Sequence, residues 1–147
     1  PENVKYHMKD GIIRNNMIVS PKDKIGMEIV AAVGTKIYNN TVVNENSEYH
    51  YAIKYAHEYS NADIRNNLVS GKISPCTGQT GAKAFLQNNI TEVPWDWFVD
   101  PANGNLKVVK DKVGEIKGKG EKLEEVADDF FGKKRDKSWD VGAWQSN

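Results

Sequence analysis

The stretch Pro21-Lys22-Asp23-Lys24-Ile25-Gly26-Met27-Glu28-Ile29-Val30-Ala31-Ala32-Val33-Gly34-Thr35-Lys36-Ile37-Tyr38 decides how the chain is read. Ser20 before it is a favoured N-cap, Pro21 suits the first helical position, and Asp23 faces the positive end of a helix. Ile25, Ile29, Val33 and Ile37 recur every fourth residue, a spacing that predicts one buried stripe on a helix over about 21–38. Gly26 and Gly34 weaken that helix, and Asn39-Asn40-Thr41 ends it.

Upstream, Ile12-Ile13 and Met17-Ile18-Val19 flank the turn-prone Arg14-Asn15-Asn16, so residues 3–19 read as a short extended or hairpin segment. Downstream, Asn46-Ser47 with Glu48 in the first turn opens a second expected helix running to about Tyr59. Tyr49, Ala52, Ile53, Ala56 and Tyr59 share one face of it, and His50, Lys54 and His57 share another. Asn61 can cap a short third helix carrying Ile64 and Leu68 and closed by Gly71. Ser74 to Gly81 is loop, and a further helix starts at Thr77 or Thr80 and runs through Ala82, Phe85 and Leu86 to Asn88-Asn89.

The texture changes after Ile90. Val93 to Val99 is apolar-rich and opens with Pro94, Asp100 to Asn105 is a strong turn signal, and Leu106 to Ile116 returns as a lysine-bearing strand. Glu121 to Phe131 is expected as a helix with Leu123, Val126, Ala127 and Phe130 inward, followed by Lys133-Lys134-Arg135 at its negative end. Trp139, Val141 and Trp144 form a final strand or an apolar tail packing back. The fold class expected from these pieces is α+β: a helical amino-terminal part, then a small antiparallel sheet with a packed carboxyl-terminal helix.

Composition bounds the rest. The chain has 147 residues, 20 basic and 20 acidic side chains, and 39% hydrophobic content, which fits a single globular domain over 1–147 and excludes a disordered tail. Pro1 fits either loss of an initiator Met or excision from a longer polypeptide. No apolar run approaches the roughly 20 residues of a membrane span, and no basic-then-apolar leader stands at the amino terminus. The compartment stays open, secretion or delivery within a longer chain included. Cys76 is the single cysteine, so no intramolecular disulfide forms. Paired asparagines recur at 15–16, 39–40, 66–67 and 88–89. They suit turns, but their spacing looks too irregular for a structural repeat.

The candidate chemistry starts with the second expected helix. His50 and His57 would lie roughly 10.5 Å apart along it, too far to share one metal ion. No metal or cofactor is therefore expected. With Lys54 between them and Glu58 alongside, the histidines can exchange protons while Lys54 or Arg65 stabilises a pentavalent phosphate. That pattern points to metal-independent RNA cleavage by a small bacterial or phage-associated effector or toxin-like domain. A second enzyme reading makes Cys76, ahead of a helix amino terminus, the nucleophile of a hydrolase or acyl-transfer enzyme with His50 or His57 as base. A non-catalytic reading takes the chain as a binding or virion structural module with its aromatic residues at an interface. Lys107, Lys110 and Lys112 on the ribbon, beside Trp95 and Trp97, offer phosphate contacts and base stacking. RNA and a protein inhibitor or partner are the expected partner classes. The net charge of zero conceals this basic ribbon next to the acidic segment Glu121 to Asp129.

Overall fold

The computed structural model describes residues 5–19, 25–45, 51–78 and 81–146. Over these residues the chain winds into a parallel β-solenoid whose side is covered by the carboxyl-terminal third. The first rung holds β1 (Met8–Lys9), β2 (Ile12–Arg14), β3 (Met17–Val19) and β4 (Ile25–Val30). The second holds β5 (Ala32–Val33), β6 (Thr35–Tyr38), β7 (Thr41–Val43) and β8 (Tyr51–Ala56). The third holds β9 (Asn61–Arg65), β10 (Leu68–Val69) and β11 (Lys72–Pro75), and the fourth contributes β12 (Lys83–Gln87) before leaving the stack. Every strand contact between rungs is parallel: β2-β6-β9-β12 form one wall, β3-β7-β10 a second and β4-β8-β11 a third.

Inward columns follow the register. Ile13 stacks on Ile37, Ile37 on Ile64 and Ile64 on Leu86. Ile18, Val42 and Val69 form the column of the second wall, and Met27, Ile53 and Ile73 that of the third. Ile37, Ile53, Ile64 and Val69 have no accessible surface. At about 25 cal/mol per Å² of apolar area, these continuous columns are the main source of stability.

The asparagine pairs build the corner between the first and second walls. The first member of each pair, Asn15, Asn39, Asn66 and Asn88, adopts a left-handed backbone with φ between 50° and 57°, which Asn tolerates and β-branched residues do not. The second members stack into a ladder. Nδ2 of Asn16, Asn40 and Asn67 donates to Oδ1 of Asn40, Asn67 and Asn89 at 2.9, 3.0 and 2.8 Å. Their backbone N–H groups donate to the same oxygens at 2.9 to 3.0 Å. Nδ2 of Asn40, Asn67 and Asn89 also reaches the carbonyls of Ile13, Ile37 and Ile64 one rung earlier. A buried corner is thereby supplied with donors and acceptors that a smooth strand would not need.

The outward face of the same corner holds the carboxyl-terminal third. Asn15 Nδ2 donates to Asp128 O, Asn39 Nδ2 to Asp140 O and Gly142 O, and Asn66 Nδ2 to Glu121 O. Val43 and Leu68 pack with Val93, Phe98, Leu106, Val108, Ile116 and Val141 in a second apolar cluster. Arg135 is 2% exposed. Its guanidinium donates to the carbonyls of Asp128, Asp140 and Gly142 and to Gln145 Oε1. Burial lowers its pKa to about 10, against the opposing pull of Asp129, Asp140 and Asp128.

This architecture corrects the expected α+β class. The helix expected over 21–38 is β4, β5 and β6. The second is β8, the third β9 and β10, and the one ending at Asn88-Asn89 is β12. Among the described residues there is no α-helix, only 3-10 segments at Trp95–Trp97, Pro101–Asn103, Lys110–Glu115 and Glu124–Val126. The turn at 100–105 joins β13 (Phe98–Asp100) to β14 (Asn105–Val108) in an antiparallel pair, but this is a two-stranded ribbon on the flank of a parallel stack, and residues 110–115 are not strand. The 3–19 segment pairs in parallel with the next rung rather than with itself. The asparagine pairs mark the repeat that their spacing seemed to deny. The proposed caps at Ser20 to Asp23 and Asn46 to Glu48, together with Pro1, Tyr49, His50 and Thr80, lie outside the described residues. No helix of the described residues is long and apolar enough to cross a membrane.

Candidate functional site

The solenoid places the described members of the expected acid/base face, Lys54, His57, Glu58 and Arg65, on β8, the turn after it and β9. Lys54 points outward from β8, where its ammonium pairs with Glu28 at 2.7 Å. That hydrogen bond raises the Lys54 pKa and so holds the group as a cation. His57 sits exposed in the turn after β8 with φ of 79° and its ring 5.2 Å from that of Tyr59. Glu58 neighbours it and accepts from the Tyr59 hydroxyl, which pushes the Tyr59 pKa up. Arg65 belongs to the first wall. Its Nε lies 2.6 Å from Asp63 Oδ1, its Nη1 lies 3.2 Å from Glu121 Oε2, and its guanidinium stacks over Phe85 at 5.0 Å. An arginine committed to two carboxylates carries little spare charge for a phosphate.

Cys76 follows β11 in a half-buried position, with its N–H bonded to Tyr55 O at 2.9 Å. The charged neighbour that the structure gives it is Lys54, a cation rather than a base. Around them Tyr51 donates to or accepts from Thr77 Oγ1 at 2.8 Å, and the Lys72 ammonium lies 4.6 Å from the Tyr51 ring centre. Among the described residues no group of three or more His, Cys, Asp or Glu side chains is arranged to hold a metal ion.

The ribbon residues divide. Trp95 and Trp97 pack against the second apolar cluster from a 3-10 turn, and Lys112 lies over the Trp97 ring at 5.7 Å. Lys107 and Lys110 instead rim an apolar basin of about 550 Å³ walled by Val99, Val108, Val113 and Trp144, with Ser146 at its edge. Val99 is 54% exposed, and Phe130 and Phe131 are 50% and 56% exposed. A smaller depression of about 280 Å³ containing both phenylalanines and Met17 adjoins the basin through Lys107. Lys107 also lies over the Phe131 ring at 4.7 Å. Exposed apolar side chains that cluster like this, rimmed by charge, are the usual mark of a binding surface.

The rim lysines give the basin its polar handles. Neither Lys107 nor Lys110 has an ion-pair partner among the described residues. The Ser146 hydroxyl is buried without a hydrogen-bond partner among them, in a residue that is 5% exposed. The turn signal at 100–105 places Lys107 on a ribbon from sequence alone, whereas Lys110, expected on the same strand, opens a 3-10 segment. Trp144 and Ser146 escape that reasoning because they reach the basin through the tertiary docking of the chain's last segment. The chain matches no family model, no curated protein sequence and no solved structure.

Proposed function

We propose that this chain is a non-catalytic binding module in which the basin at Val99, Lys107, Lys110 and Trp144 takes an apolar, acidic segment of a partner protein. The observation that carries the reading is the pair of lysines without an ion-pair partner among the described residues, Lys107 and Lys110, at the rim of an apolar depression of about 550 Å³. A volume of about 550 Å³ is within the range of ordinary ligand sites. Its valine walls favour an aliphatic body, and the lysines select an anionic end. One aromatic wall is less than the stacking platform that single-stranded RNA needs, so a protein segment is favoured over RNA.

The test follows Trp144 fluorescence in the wild type and in Trp144→Phe while decanoate, decanol and octauridylate are titrated. Saturable quenching by decanoate, about tenfold weaker with decanol and lost in Lys107→Glu/Lys110→Glu, supports the reading, since a charge-assisted contact is worth about 1.5–3 kcal/mol. Saturation by octauridylate alone, steeply dependent on salt, would replace it with the RNA reading. No response to decanoate at millimolar concentration in the folded protein would remove it.

A further inference from the structure

The stack stops abruptly at its fourth rung, and the chemistry that each rung presents to the next is left exposed there. β12 pairs with β9 on one side and with no described strand on the other. Lys83 N–H donates to Ser60 O, and Gln87 O accepts from Asn66 N–H, so these residues face β9. Strand alternation therefore points the N–H and C=O of Ala84 and Leu86 to the open side. Leu86 is 46% exposed where its column mates Ile37 and Ile64 are fully buried. Asn89 is the last member of the ladder. Each earlier member donates its N–H and Nδ2 to the next Oδ1, and among the described residues no further Oδ1 follows Asn89. A groove of about 350 Å³ lies here, lined by Leu86, Gln87, Asn88, Asn89, Ile73 and Thr91 among others.

We infer that this open rung is a strand-addition site for an extended segment of a partner protein carrying an Ile-x-Asn-Asn motif. The argument is continuity with the contact that already joins the rungs. Ile13-Arg14-Asn15-Asn16, Ile37-Tyr38-Asn39-Asn40, Ile64-Arg65-Asn66-Asn67 and Leu86-Gln87-Asn88-Asn89 repeat one pattern. The first residue of each stacks in a column, and the last bridges rungs. A fifth such segment would cover Leu86, accept from Asn89 through its own asparagine, and pair with the free groups of Ala84 and Leu86. Main-chain pairing supplies affinity in strand addition, and the alternate side chains supply specificity. The neighbouring edge of β11 is blunted by Lys72 and Pro75, residues that deter pairing, so addition is confined to β12.

The test uses a labelled peptide with the sequence of residues 34–43, Gly-Thr-Lys-Ile-Tyr-Asn-Asn-Thr-Val-Val, and anisotropy as the readout. Saturable binding to the full chain is expected, about tenfold weaker when the second peptide asparagine is replaced by Leu. Ala84→Pro removes an outward N–H without touching the pairing to β9, and Leu86→Lys charges the column end. Both variants should keep the wild-type melting curve and lose the peptide at least tenfold. Equal binding by Ala84→Pro and wild type, or by the two peptides, would overturn the site, as would no binding at millimolar peptide. Lys107→Glu/Lys110→Glu should leave peptide binding unchanged, which separates failure here from failure of the basin.

Discussion

Asn67→Ala is the sharpest probe of the ladder. Asn67 has no accessible surface. Its Oδ1 accepts from Asn40 N–H at 2.9 Å and Asn40 Nδ2 at 3.0 Å, and its Nδ2 hydrogens are shared among Ile37 O, Arg65 O and Asn89 Oδ1 at 2.8 to 3.0 Å. Truncation strands both Asn40 donors and removes the side-chain contact to the Ile37 carbonyl, whereas Asn89 Oδ1 keeps the Asn67 N–H at 2.9 Å. At about 1 kcal/mol for each of these three groups, the low end of the usual penalty because water can enter the space left, the loss is about 3 kcal/mol. Against a total stability of roughly 5–15 kcal/mol this is large. With a urea m-value of about 2 kcal/mol/M it lowers the midpoint by about 1.5 M. Equilibrium urea unfolding by far-UV circular dichroism measures it, with Asn16→Ala as the end-of-ladder comparison. Asn16 is exposed and its loss should cost about 1 kcal/mol. Asn103→Ala, which removes only a surface contact to Asp100, should cost within about 0.5 kcal/mol. The reasoning fails if Asn67→Ala costs no more than Asn16→Ala. A fall in m-value at Asn67→Ala would show that the rungs had stopped unfolding as one unit.

Gly142 has φ of 95°, and a Cβ there would lie 2.8 Å from Thr41 Oγ1 and 3.0 Å from Leu68 Cβ. Gly142→Ala should therefore cost about 3 kcal/mol from backbone strain and displaced contacts, seen as a red-shifted tryptophan spectrum before the β-sheet signal is lost; simultaneous loss of both signals would contradict separate docking of the carboxyl-terminal third. Burial raises the pKa of Tyr38, aided by its hydrogen bond to Asp63, and burial also raises that of Tyr55. Unfolded tyrosine ionises near pH 10, so above that pH the unfolded chain sheds protons that the folded chain keeps. Stability should hold below about pH 9.5 and fall as pH rises further. Tyr38→Phe should flatten that fall, and an unchanged profile in urea unfolding at pH 9 to 11 would refute the assignment.

The misreading of 21–38 has a specific cause. A recurrence every fourth residue is a multiple of two as well as close to 3.6, so Ile25, Ile29 and Ile37 satisfy a strand face and a helix stripe alike. The deciding position is Met27, two residues along, which joins the inward column with Ile53; an apolar residue there favours period two. β8 misleads differently. A register shift between Lys72 and Ile73 lets Ala52 and Ile53 both turn inward, and the burial of its six residues then runs in threes, as on a helix. The repeat was legible in Ile-x-Asn-Asn but hidden by its period of 24, 27 and 22 residues, because the turns between walls differ in length while the corner does not. At the basin, Lys107 follows from the turn that precedes it, while Lys110 lies past the end of the strand in a 3-10 segment. Val99 and Trp144 meet there only because Arg135 and Gly142 seat the last segment on the asparagine corner.

Both proposed surfaces arise where a repeating pattern ends. A solenoid rung satisfies its neighbours through identical columns, so rungs inside the stack have little polar capacity left to recognise anything else. The asparagine corner differs because it has two faces. Its inward members lock rung to rung, and its outward members, held in left-handed backbone, hold the carboxyl-terminal third mainly by hydrogen bonds to main-chain carbonyls. Contacts of that kind fix where the segment lies but place few demands on its outer side chains. Those outer positions are where Val99, Phe130, Phe131 and Lys110 are exposed and Lys107 is half-buried, so the surface that binds can vary while the corner that positions it stays the same. At the other break, β12 and its asparagine corner keep the rung-to-rung chemistry of the first wall with no fifth rung among the described residues to use it. The basin therefore depends on side chains and the open rung on main chain, which is why charge reversal at Lys107 and Lys110 and proline at Ala84 separate them.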